Sequence, residues 1–154
     1  MRVSSQQNYR KLNTFINSLE ESILKAKKNG IESKQDVINV LSSIDRAIVD
    51  SLNRQSIQDQ YFLSKAINKG VYDCDTLTTI YLSVAEVYGL PIKAVKIPGH
   101  IFIRWKFTDG KYLNWETREC KFKEDILYTF DECITLNNFE ELSNEQFFRK
   151  YNRL

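Results

Sequence analysis

Two side chains in this sequence are suited to acyl-transfer chemistry: Cys74 and His100, the chain's only histidine. Cys74 follows Gly70-Val71-Tyr72-Asp73 and precedes an apolar stripe, Leu77, Ile80, Tyr81, Val84 and Tyr88, which stops at Gly89 and Pro91. That spacing predicts a helix beginning at Asp73 or Cys74. A thiol there points at unpaired backbone N–H groups and the positive end of the helix dipole, which favour a thiolate. The same first-turn amides suit a developing oxyanion. Asp73 and Asp75 flank the thiol and oppose its ionisation. His100 opens a strand directly after Pro98-Gly99, a sheet-rim position from which a general base can reach a nucleophile. Each residue also has an ordinary structural reading. A lone cysteine at a helix start is commonly a small buried hydrophobe, and a strand-end histidine is commonly exposed.

A third group follows from hairpin arithmetic. If Thr108-Asp109-Gly110 is a three-residue loop with Gly110 left-handed, Phe107 faces Lys111, Arg104 faces Asn114 and Phe102 faces Glu116. His100, Asn114 and Glu116 then share one face. Glu116 becomes a diagonal neighbour of His100, ~7–8 Å away between backbones and within reach of a glutamate side chain. The other face collects Ile101, Ile103, Trp105, Phe107, Leu113 and Trp115, which predicts a sheet with one buried face. A two-residue loop would turn Glu116 to the apolar side, so the pattern prefers the register that lets a carboxylate orient the histidine. The plainer alternative is a surface Arg/Glu ladder.

The ordered set Gly70-Val71-Tyr72-Asp73-Cys74, Gly89-Leu90-Pro91-Ile92, His100-Ile101-Phe102 and Gly110 through Thr117 resembles the transglutaminase-like core. The resemblance covers residues 70–117. It implies a papain-like fold, with Cys74 as nucleophile, His100 as base and Glu116 as the acid that orients it. The family usually has Asp at the acid position, where this chain has Glu116. Asn114 is the alternative orienter, by similarity to the Cys-His-Asn arrangement of papain-like proteases. Tyr72, beside the thiol, is a candidate for lining the oxyanion or substrate site. The stretch Val95 to Arg104 also resembles a bacterial subgroup of transglutaminase-like domains, often fused to helical repeats. The activity implied is thiolate attack on an amide carbonyl through a thioester, by a protease, deamidase or transglutaminase acting on a protein or peptide. A non-catalytic protein-binding module on the same scaffold is the alternative.

The elements that must position these residues are legible as patterns. Leu12, Phe15, Ile16, Leu19, Ile23 and Ala26 predict one helix ended by Gly30, and Ser33 with Asp36 predicts a capping box. Val37, Leu41, Ile44, Ile48 and Leu52 predict a second helix. Ser56 to Gly70 reads as a third, carrying Phe62, Leu63, Ala66 and Ile67. Ile92–Ile97, Ile101–Phe107 and Lys111–Thr117 read as strands, the segment from Lys121 as mixed, and Ser143 with Gln146 as the start of a last helix. The fold class is α+β: N-terminal helices, a nucleophile-bearing helix and a small antiparallel sheet. The expected organisation is one domain over residues 1–154, with a helical N-terminal region over residues 1–69, a catalytic core over 70–120 and a C-terminal extension over 121–154.

Composition narrows the class. The 22 basic and 20 acidic residues nearly cancel, and the basic ones do not cluster, so no nucleic-acid partner is expected. No apolar run approaches a membrane span, and the N-terminus has no signal-peptide pattern, so no membrane partner and a cytoplasmic location are expected. Delivery into another cell as an effector is compatible with the same features. Three cysteines at irregular spacing argue against a disulfide framework. With one histidine and no C-x-x-C pair, no metal and no other cofactor is expected. Cys120 and Cys133 read as core-packing residues.

Overall fold

A computed structural model describes residues 5–57 and 63–151. It is α+β, with helices early and an antiparallel sheet later. The chain divides into two compact units that meet in sequence between Thr76 and Leu77.

The first unit contains α1 (Ser5–Ser18), α2 (Glu20–Asn29), α3 (Lys34–Leu52), β1 (Ser56–Ile57), α4 (Leu63–Lys69) and β2 (Val71–Tyr72). The expected first helix is interrupted at Leu19. The Ser18 hydroxyl donates to the Phe15 carbonyl at 2.6 Å, the acceptor that Leu19 N–H would use in a continuous helix. Leu19 N–H bonds the Ile16 carbonyl instead, at 3.1 Å. This is local side-chain competition with the helix ladder. The apolar stripe survives the break, because Phe15, Leu19 and Ile23 are all buried. Ser33 and Asp36 form the expected capping box at the start of α3. Val37, Leu41, Ile44, Ile48 and Leu52 form its buried face, and α1 and α2 pack against it.

The expected helix from Ser56 to Gly70 is corrected. Ser56–Ile57 is a short strand, paired in parallel with Val71–Tyr72, and the helix starts at Leu63 among the described residues; Phe62 lies outside them. The cause is a backbone bond from Gln55 N–H to the Gly70 carbonyl at 2.8 Å, which draws this segment into a ladder. Gly70 has φ +67, and a Cβ there would lie 2.2 Å from the Asn53 carbonyl oxygen, so only glycine fits. This junction sets up β2, which leads directly to Cys74.

Helix α5 spans Cys74–Tyr88. In the second unit, β3 (Ile92–Ile97), β4 (His100–Lys106), β5 (Tyr112–Glu116), β6 (Lys121–Phe122) and β7 (Glu140–Leu142) form a sheet of order β6-β5-β4-β3-β7. Every pairing in it is antiparallel. Strands β4 and β5 pair Arg104 with Asn114 and Trp105 with Leu113, which is the expected register. Phe107 N–H donates to the Lys111 carbonyl at 2.8 Å, closing the loop, and Gly110 is left-handed at φ +86.

The expectation of one buried face is overturned. Phe102, Arg104, Asn114 and Glu116 are buried as well as Ile101, Ile103, Trp105 and Trp115. The residues after Lys121 supply the cover. Helix α6 (Asp125–Asp131) inserts Tyr128 into a cluster with Val95, Ile97 and Phe102, and Ile134 and Phe139 pack against it. The same segment adds β7 at the sheet edge. Helix α7 (Asn144–Tyr151), capped by Ser143 and Gln146 as expected, packs on β3 and β7. Among the described residues, no helix is long and apolar enough to cross a membrane.

Candidate active site

Cys74 is the first residue of α5, and Asp73 caps the helix. Asp73 Oδ1 accepts from Thr76 N–H at 2.8 Å and from the Thr76 hydroxyl at 2.9 Å. Asp73 N–H donates back to Thr76 Oγ1 at 2.9 Å. This is a capping box with threonine in the usual Glu/Gln position. It turns the Asp73 carboxylate onto the backbone, and it fixes which residue of the helix is the first. Cys74 is partly exposed, and its thiol donates to Asp75 Oδ1 at 3.8 Å.

Tyr72 is placed elsewhere than expected. Its ring is fully buried and its hydroxyl donates to the Leu52 carbonyl at 2.8 Å. Burial pushes its phenol above the ordinary range. This hydrogen bond ties β2 to the end of α3.

His100 opens β4 opposite Ile97, and Glu116 closes β5. The two strand ends bring His100 Nε2 to 2.7 Å from Glu116 Oε2, with side-chain exposures of 16% and 5%. At such burial a carboxylate and an imidazole in contact strongly constrain one another. Asn114 has other partners. Its Oδ1 accepts from Arg104 Nε at 2.8 Å and its Nδ2 donates to Asp125 Oδ1 at 2.6 Å. Arg104 also donates to Asp125 Oδ1 at 3.0 Å and lies under the Tyr112 ring, 3.9 Å from its centroid. The Tyr112 hydroxyl bonds Asp125 Oδ2, which raises the Tyr112 phenol above its usual range. Asn114 thus belongs to a network that fastens the start of α6 to β4 and β5. Of Asn114 and Glu116, it is Glu116 that bonds His100.

Sequence reasoning missed Tyr128. Its hydroxyl donates to Glu116 Oε2 at 3.1 Å. No motif marks it; a tyrosine in a mixed segment signals nothing until the segment is known to cover the histidine's face. Cys120 and Cys133 are corrected too. Neither packs a core: Cys120 is partly exposed and Cys133 exposed, and both take left-handed turn conformations, φ 54 and φ 51.

The α+β fold thus presents a cysteine at a capped helix start and, later in the chain, a strand histidine bonded to a buried carboxylate. The chain belongs to the transglutaminase-like superfamily, whose family model matches residues 9–150. That superfamily is associated with cysteine-dependent chemistry on amide bonds. No curated protein and no solved structure matches the chain.

Proposed function

We propose that the chain is a cysteine-dependent hydrolase or acyl transferase acting on amide bonds of a protein or peptide, as a protease, deamidase or transglutaminase. Cys74 is the nucleophile, His100 the base and Glu116 the acid that orients it. The observation that supports this best is the partly buried contact of 2.7 Å between His100 Nε2 and Glu116 Oε2. With Nε2–H donated to Glu116, Nδ1 is the ring nitrogen that takes the thiol proton. The sulfur then adds to the amide carbonyl, and the Cys74 backbone N–H is a first-turn donor for the oxyanion. Collapse breaks the C–N bond, and the amine leaves with the proton held by His100. The thioester is resolved when water or an amine, deprotonated by the same imidazole, attacks its carbonyl and releases the thiol. Glu116 stabilises the imidazolium.

A second reading has its own support. The Cys74 sulfur already has a polar neighbour on its own helix, Asp75 Oδ1 at 3.8 Å. This favours a protein-binding module on the same scaffold. Iodoacetamide labelling across pH, followed by peptide mass mapping, separates the two. In an enzyme, Cys74 reacts at pH 6–7 faster than Cys120 and Cys133 by about tenfold or more, and His100→Ala abolishes the difference. Three thiols with the same rate, unaffected by His100→Ala, leave the binding module as the function.

A further inference from the structure

Glu116 has an unusual set of partners. Its Oε2 receives both His100 Nε2, at 2.7 Å, and the Tyr128 hydroxyl, at 3.1 Å. Its Oε1 is buried and has no partner among the described residues. Two donors therefore hold this carboxylate, and only Tyr128 is independent of the imidazole. A carboxylate anchored by the histidine alone could swing with it and orient nothing. Tyr128 is itself firmly held. It is fully buried, stacks on Phe102 with centroids 4.2 Å apart and planes 10° apart, and meets the edge of Phe139 at 6.2 Å. Lys123 Nζ lies 4.3 Å from its ring centroid and pairs with Asp131 at 2.9 Å. At its N-terminus, α6 is fastened by the bonds of Asp125 to Arg104 and Asn114.

We infer that Tyr128 is a positioning residue for the histidine: its hydroxyl anchors the Glu116 carboxylate so that Oε2 receives the Nε2 proton of His100 and Nδ1 is left as the accepting nitrogen. The inference rests on the reading of His100 as a base. Burial, and then the Glu116 charge, push the Tyr128 phenol far above its ordinary range, so it remains a donor wherever a histidine titrates. A donor on Oε2 draws charge away from the carboxylate. Removing it leaves more of that charge facing the imidazolium. Charged groups that interact with the pair include Glu119, with His100, and Lys121, with Glu116; Lys123, paired with Asp131, lies over the Tyr128 ring.

The test uses the chain's single histidine, whose ring resonances give one clean nuclear magnetic resonance titration. In the native protein, neutral His100 is expected as the Nε2–H tautomer. In Tyr128→Phe, its titration midpoint rises by about half a unit or more, since a neighbouring charge is less satisfied. In Glu116→Gln, adding Tyr128→Phe moves the midpoint no further, because the carboxylate that transmits the effect is gone. An unmoved midpoint in Tyr128→Phe, or an equal shift in both backgrounds, overturns the inference. Should Tyr128→Phe fail to fold, a ring-fluorinated tyrosine at position 128, a stronger donor of similar shape, lowers the midpoint; no change there overturns it as well. None of these readings depends on Cys74. A shifted midpoint together with Cys74 labelling indifferent to His100→Ala keeps the positioning role and removes the catalytic one.

Discussion

At the scale of single residues, Glu116 and Asn114 separate two jobs that the sequence offered to either. Both lie on the same strand face and both are buried. Glu116 bonds His100, whereas Asn114 bonds Arg104 and Asp125. Their substitutions should therefore fail differently. On the proposed function, Glu116→Gln should slow acylation of Cys74 by an active ester by about 100-fold or more while the protein stays folded, since His100 loses its orienting partner. Asn114→Ala should leave that rate within a few-fold but destabilise the fold by about 1–3 kcal/mol, because Arg104 Nε loses its buried acceptor. Release of p-nitrophenol and denaturant melts measure the two effects. A larger rate loss at Asn114 would transfer the orienting role to it.

At the scale of elements, two junctions are decisive. Gly70 lets α4 turn into β2 and hence into Cys74. A residue with a Cβ there must hold φ +67 and push aside the Asn53 carbonyl. Gly70→Ala should therefore lower stability by more than about 1–2 kcal/mol, the strain of a left-handed L-residue alone. Thermal unfolding checks this, and an unchanged melt would mean the junction relaxes freely. The other junction is the start of α3. The Ser33 side chain, then the Ser33 and Glu32 backbone N–H groups, lower the Asp36 carboxyl below its ordinary 3.8. A carboxyl with a depressed folded value adds stability above its unfolded value and loses it as pH falls through the folded one. Asp36→Ala should thus be less stable than the native protein at neutral pH, and the gap should close below pH 3.8 as Asp36 protonates. Melts at neutral and acid pH check the sign.

At the scale of the whole molecule, each of the two compact units buries apolar side chains. The first is built on α3, where Val37, Leu41, Ile44 and Ile48 have no exposure. The second includes Val95, Phe102 and Tyr128. Leu41→Ala removes a side chain that no solvent reaches, and should destabilise by about 2–5 kcal/mol according to how far the site collapses. Denaturant titration measures it; a loss below about 1 kcal/mol would mean that α3 repacks around the missing side chain. Phe102 differs from Leu41 in lying beneath Tyr128. Trimming it should disturb the His100 titration as well as the melt.

What was legible in the sequence is what depends on neighbours in the chain. The capping box at Ser33, the helix opening at Cys74, the cap at Ser143 and the β4–β5 register each rest on a few adjacent residues. The hairpin register carried the most, because period-2 alternation allows only one loop length that keeps Trp115 inside and Glu116 beside His100. What only the tertiary structure decided concerns residues far apart. Tyr128 reaches Glu116 because a segment with no strong periodicity folds over a sheet face that alternation alone marks as polar. Asn114 bonds Asp125, and Tyr72 bonds Leu52, through contacts that no local spacing encodes. The short strand at Ser56 forms because β2 offers it a partner, overriding the local helical pattern. Local preferences differ by fractions of a kcal/mol per residue, so a buried hydrogen bond of about 1 kcal/mol can outvote them.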